Sequence, residues 1–340
     1  MATTEQRPAA APGAVPPAMR SPAYDPADEA MCARARERFA ADRKRGGKVS
    51  RRRRRHAAMP NLIIIGGLKC GTTSIHHYLG LHPEINMSKP KELNFFVEEL
   101  NWDLGLDWYR GRFDGRFPVR GESSPHYTNQ PRYTGVAERI REHAPDAKLL
   151  YMVRDPISRI LSHWRHACGA GYETRPMEDV LGRDDQTYAT RSMYWAQLQP
   201  YLALFSPEQI EVITQEELQS DREATMRKAF RYVGVDENFT SEQFDREWER
   251  STAKESDQYQ LMERLIKLPG FRAFDRNFDR LPERMRWMVE KVVHDPDAPS
   301  APKPNLPPEI ESRLLALFAE DVKRLQQFAG REFAGWRTYA

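Results

Sequence analysis

Apolar positions change their spacing along this chain in a way that separates an arm from a body. From Asn61 onward, short continuous apolar runs alternate with stretches in which apolar residues recur every three or four positions. The run Asn61–Ile65 ends at Gly66-Gly67, and a helical stretch follows from Thr72 to Leu81. Pro83–Met87, Val119–Ser123, Ala147–Val153 and Gln209–Thr214 read as further strands. Pro131–His143, Pro156 to Cys168, Ser192–Phe205 and Asp221–Val233 read as helices. Pro307–Phe328 carries Ile310, Leu314, Leu317, Phe318, Val322 and Leu325 on one stripe, the mark of an amphipathic helix. This alternation predicts a parallel sheet with helices on both faces. Glu242–Pro304 is irregular and rich in charges and aromatics, and reads as an insertion or lid over one end of the sheet.

Residues 1–58 lack that patterning. Met1–Pro26 is rich in Ala and Pro, and Asp28–Arg45 has too few apolar positions, Met31 and Phe39, to pack a helix face. The segment is expected to be a disordered basic extension, with the folded domain at 59–340. Charge sharpens the division. Residues 1–60 hold fourteen basic and six acidic side chains, while the remainder holds 38 basic and 43 acidic ones. The basic character therefore belongs to the arm, where residues 43–55 are a candidate for weak contact with a polyanion. No run of eighteen apolar residues occurs, so no transmembrane helix is expected, and no secretory pattern opens the chain. Cys32, Cys70 and Cys168 make neither a disulfide framework nor a metal-ligand spacing, and a cytoplasmic location is expected.

The most informative stretch is Ile63-Ile64-Ile65-Gly66-Gly67-Leu68-Lys69-Cys70-Gly71-Thr72-Thr73-Ser74. A buried strand, a glycine-bearing turn and a helix start in succession aim backbone N–H groups at one point, which suits a phosphate. Gly66 and Gly71 have the spacing of a nucleotide P-loop, yet Thr72 stands where its lysine belongs. The lysine is inside the loop, at Lys69. It cannot serve the terminal phosphates of ATP, but it can neutralise charge on a bridging oxygen. Cys70, at a helix start, is also a candidate for a lowered thiol pKa. A second anion site is suggested by Arg154 at the end of the fourth strand, followed by Asp155 as N-cap, Pro156 at the first helical position and Ser162 further along the helix. Strand ends are where open α/β sheets bind ligands.

Gly67–Ser74 with Leu81-His82-Pro83, Lys91-Glu92-Leu93-Asn94-Phe95-Phe96 and the run from Arg154 to Ser162 resemble sulfotransferases that use 3'-phosphoadenosine 5'-phosphosulfate (PAPS). The branch resembled contains the heparan sulfate N- and 3-O-sulfotransferase domains and their bacterial relatives. The resemblance implies a P-loop NTPase-like three-layer α/β/α fold with a central, mostly parallel sheet. It implies PAPS held by Lys69, Cys70, Gly71, Thr72, Thr73 and Ser74 at its phosphosulfate and by Arg154 and Ser162 at its 3'-phosphate, with no metal required. It further implies sulfuryl transfer to a hydroxyl or amine of a small-molecule, glycolipid or glycan acceptor. Two residues compete as base: Glu92, where the heparan-type enzymes carry their glutamate, and His126, in the region where phenol and steroid sulfotransferases carry a histidine. Lys69 would stabilise the leaving group, and Glu122 would orient the acceptor or Lys69. Glu122-Ser123 stands where heparan-type enzymes have Glu-Lys, which argues against a highly anionic acceptor. Lys303 is carried over as a 3'-phosphate contact, and Phe271, Phe274 and Trp287 are candidates for stacking on adenine. The alternatives are a P-loop kinase using ATP and a non-enzymatic polyanion binder acting through the arm.

Overall fold

The structure is a computed structural model that describes residues 26–50, 54–170, 172–173, 175–181, 187–245 and 306–339. Lys303, Phe271, Phe274, Trp287 and nearly all of the expected lid lie outside the described residues. Five strands, β1 (Leu62–Ile64), β2 (Ile85–Met87), β3 (Val119–Ser123), β4 (Lys148–Val153) and β5 (Ile210–Thr214), form one sheet in the order β2-β3-β1-β4-β5. Every pairing is parallel; Ile64 lies opposite Ser123 of β3 on one side and Leu150 of β4 on the other. β1 and residues 149–153 of β4 are buried throughout, because helices cover both faces of the sheet.

The helices are α1 (Pro26–Glu37), α2 (Ala40–Lys44), α3 (Thr72–Leu79), α4 (Leu106–Arg110), α5 (Val136–His143), α6 (Pro156–Gly169), α7 (Met177–Leu181), α8 (Thr187–Thr190), α9 (Tyr194–Leu202), α10 (Gln215–Ser220), α11 (Arg222–Val233) and α12 (Pro308–Ala329). The chain leaves β1 in one direction along the sheet and leaves β4 in the other. Right-handed crossovers then put α3 on one face and α6–α9 on the opposite one. That reversal places a crevice between the carboxyl ends of β1 and β4, where such sheets bind ligands. α12 buries Leu314, Phe318, Val322, Leu325 and Phe328, and packs on α6 and α9. Its Asp321 accepts hydrogen bonds from the N–H groups of Trp195 (3.0 Å) and Ala196 (2.9 Å), capping α9 from another helix. Among the described residues no helix is long and apolar enough to cross a membrane.

The expected disordered arm to residue 58 is corrected for residues 26–50, which fold onto the body. Two apolar anchors suffice because each meets an aromatic surface already in place. The Phe39 ring stands edge-on to Trp108 at 5.0 Å, and Cys32 hydrogen-bonds the buried Tyr133. Polar contacts complete the seat. Asp42 accepts from Trp108 Nε1 (3.1 Å) and pairs with Arg112 (2.6 Å), whose guanidinium lies 4.2 Å from the Trp108 ring centre. Arg43, part of the basic run expected to meet a polyanion, is committed internally to Asp103 (2.9 Å).

Candidate active site

The loop after β1 is shaped by its backbone. Ile65 N and Gly67 N extend the ladder to Leu150 O (3.0 Å) and Met152 O (3.1 Å) of β4. A Cβ on Gly66 would lie 2.5–2.6 Å from the backbone and Cβ of Met152, so only glycine allows the two chains this close. Lys69 (φ +68°) and Gly71 (φ +79°) then turn through the left-handed region. For a residue bearing a Cβ, as Lys69 does, that conformation costs about 1–2 kcal/mol. Gly71 is the N-cap of α3 and makes no side-chain bond to its first turn, a kind of helix start that suits an anion. Thr72 is buried; Lys69, Thr73 and Ser74 are half-buried at the loop surface.

Cys70 does not have the lowered thiol pKa for which its place at a helix start made it a candidate. It is fully buried beneath the loop, with Sγ 3.5 Å from Tyr194 Oη. Burial pushes the thiol up to about 11, and neither Tyr194 nor the positive charge of Arg159 and Arg154 reverses it. Arg159 is fully buried as well, donating to Ser192 Oγ (2.5 Å) and to Tyr188 O, with Nη1 3.4 Å from His163 Nδ1. Burial, then Arg159 and Arg191, hold His163 well below its ordinary pKa, so it is neutral. The sequence reading left Arg159 aside although it lies between Arg154 and Ser162. Its five-residue spacing from the strand end was the available signal.

Arg154, expected at the far end of the nucleotide from the loop, donates from Nη1 to Lys69 O at 3.5 Å across the crevice between β1 and β4. Asp155 caps α6 by accepting from Ser158 N (2.8 Å), and Pro156 opens the helix. The same carboxylate also accepts from Tyr339 Oη (2.7 Å) and Arg337 N (3.1 Å) and pairs with the Arg337 guanidinium. Burial raises it, and these donors override burial to hold it below the ordinary carboxylate range. A second acid stands beside it: Glu216 of α10 accepts from Asp155 N (3.1 Å) and from Trp336 Nε1 (2.9 Å). Ser162 is half-buried further along α6.

The two candidate bases share one neighbourhood on the other side of β1. Glu92 N donates to Ser123 O (3.0 Å) at the carboxyl end of β3, one strand from the loop. Glu92 and Asn94 both have positive φ, +64° and +47°. The Glu92 side chain is 34% exposed and pairs with Lys91 Nζ. Burial pushes its carboxyl up, but Lys91 overrides this, with Arg38 and His126 adding their charge, and holds it at about 2. His126 is buried, its ring 5.9 Å from Tyr133. His76 of α3 joins the same region, with Nδ1 2.9 Å from Ser123 Oγ. Burial, and then Lys91, lower it to about 3, so it is neutral. Arg38, missed by the sequence reading, donates to Lys91 O (2.9 Å). Arg38 and Lys91 thus supply the positive charge that the third-strand motif lacks at Ser123.

Glu122 touches neither Lys69 nor open space. It is fully buried and accepts from Tyr109 Oη (2.5 Å), Tyr127 Oη (2.6 Å) and Ser124 Oγ (2.7 Å). Its expected role in orienting Lys69 or the acceptor is corrected: two of its three partners, Ser124 and Tyr127, accept in turn from backbone N–H groups of the Glu92 segment.

Comparison with known proteins gives the family. Residues 59–264 match the sulfotransferase domain. The chain belongs to the sulfotransferase family. It is 34% identical over 111 residues to the membrane-associated sulfotransferase kil1 of Dictyostelium discoideum, covering 31% of this chain and 22% of that protein. To human bifunctional heparan sulfate N-deacetylase/N-sulfotransferase 2 it is 27% identical over 199 residues, 52% of this chain and 22% of the relative. To human heparan sulfate glucosamine 3-O-sulfotransferase 5 it is 34% identical over 108 residues, 31% of this chain and 30% of the relative. The matches span less than a third of each of these proteins. A crystal structure of a sulfotransferase from Alicyclobacillus acidocaldarius superposes with a TM-score of 0.58 at 25% identity, covering 83% of this chain and all of that one. The expected family and P-loop-like α/β architecture are thus borne out.

Proposed function

We propose that this protein transfers a sulfuryl group from PAPS to a hydroxyl or amine of a small-molecule, glycolipid or glycan acceptor. What supports the reading is the approach of two segments across the crevice: the Arg154 guanidinium at the end of β4 donates to the backbone carbonyl of Lys69, in the loop after β1, at 3.5 Å. The loop is a cradle of the right kind: Gly66 brings it close to the β4 backbone, Gly71 allows the left-handed turn before α3, and the helix start has no side-chain cap. Lys69–Ser74 would hold the phosphosulfate, and Arg154 with Ser162 the 3'-phosphate. The donor supplies an activated sulfuryl group.

The chain's residues then have two tasks. Lys69 meets the charge that develops on the bridging oxygen, a contribution of about 10²–10³ in rate for one preorganised donor. Glu92 takes the acceptor's proton, since its carboxylate is ionised and partly open at the carboxyl end of β3. His126 is deeper in the same neighbourhood and is read as shaping the acceptor wall. Arg38 and Lys91 favour an acceptor with negative charge near its accepting group.

Titration calorimetry with adenosine 3',5'-bisphosphate tests the donor site. Binding is expected, weakened by Lys69→Ala and by Arg154→Ala. No heat of binding, or full affinity in the double variant, would sink the reading. Turnover of ATP with none of PAPS would select the kinase alternative.

A further inference from the structure

The Glu122 carboxylate is sealed in the core, and among the described residues no cation pairs with it; its contacts are three O–H donors. A hydroxyl has one proton. Once Ser124 and Tyr127 give theirs to Glu122, only lone pairs remain for other partners. Those lone pairs meet a single stretch of backbone. Ser124 Oγ accepts from Asn94 N (2.9 Å), and Tyr127 Oη accepts from Phe95 N (3.1 Å) and Phe96 N (3.4 Å). These are the N–H groups just beyond Glu92, in a segment whose left-handed turns at Glu92 and Asn94 need outside support to persist.

We propose that Glu122 is a positioning residue for Glu92. By fixing which way two hydroxyls point, it turns them into acceptors that lock the Glu92–Phe96 segment in its left-handed path and so aim the base from the end of β3. Tyr109 donates to the same carboxylate but touches none of these N–H groups; it stacks on Phe95 at 4.2 Å. Its hydroxyl therefore helps seat Glu122 without gripping the segment. The assignment rests on the reading of Glu92 as base, and the test separates the two.

Amide hydrogen exchange of the full chain is measured for Glu122→Gln, Tyr127→Phe and Tyr109→Phe, together with the titration of a carbon-13-labelled Glu92. Glu122→Gln and Tyr127→Phe are expected to speed exchange at Asn94–Phe96 about tenfold, the loss of roughly one hydrogen bond. Exchange in β1 and β4 and affinity for adenosine 3',5'-bisphosphate stay unchanged, and Glu92 titrates higher as its pairing with Lys91 loosens. Tyr109→Phe, which keeps the ring, moves segment exchange by less than the other two. Unaltered exchange in both main variants, exchange rising equally through β1 and β4, or an unmoved Glu92 titration overturns the proposal. Whether Glu92 is the base is read independently, from turnover of Glu92→Gln.

Discussion

The regions on the two sides of β1 are built by different means. On the proposed donor side, the loop after β1 is made of backbone: a ladder continued past the strand, two positive-φ turns and a helix start with no side-chain cap. Its parts lie within a dozen residues, apart from Arg154. On the proposed acceptor side, Glu92 is held by its neighbour Lys91 and by groups distant in sequence: Arg38, from the turn between α1 and α2, and the Glu122 network from β3. A phosphate-binding surface can be assembled from repeating N–H groups, since its ligand's charge is diffuse. A base must be aimed at one proton, and aiming takes side chains fixed by tertiary structure.

The contrast can be broken at either end. Glu92→Gln is expected to lower turnover of PAPS by about 10²–10⁴ while leaving affinity for adenosine 3',5'-bisphosphate intact, by kinetics and calorimetry in parallel. Lys69→Ala is expected to cost about 10²–10³ in rate, and unlike Glu92→Gln it also weakens the nucleotide. Equal effects of the two on nucleotide affinity would erase the division between sides.

Gly66→Ala tests the backbone side with no change of charge. The new Cβ must displace Met152, so thermal unfolding should show a loss of about 1–3 kcal/mol, with weaker nucleotide binding. The smallest effect is a shift along the pH axis. Glu92 titrates near 2 because Lys91 overrides its burial. A depressed pKa keeps the proton-accepting form present down to that pH. Lys91→Met should move the pKa up toward the ordinary 4.5, so the acid limb of kcat/KM moves to higher pH while the plateau near neutrality remains.

Legibility followed the same division. The strands, the loop and the Asp155-Pro156 helix start were readable because apolar runs, glycine spacing and capping act over a few residues. Helix α5 begins later than its pattern suggested, at Val136, because Gly135 takes a left-handed turn immediately before it. Glu92 was readable only through resemblance. Nothing in the local pattern announces that Tyr127 and Ser124 reach back to Asn94, Phe95 and Phe96. The N-terminal helices escaped for a related reason. Periodicity counts a stripe of apolar residues, whereas Phe39 and Cys32 each fill one place prepared by Trp108 and Tyr133.

That last feature bears on how far the working unit extends. The region matched by the family starts at residue 59, yet the Arg38 guanidinium lies beside the proposed base and Trp108 is roofed by Phe39 and Arg112. Trimming the chain to the matched region would remove the Arg38 guanidinium from beside Glu92 and uncover one face of the Trp108 indole. A shortened enzyme that still held its nucleotide but had lost selectivity among acceptors would be reporting a missing helix, with the catalytic groups themselves untouched.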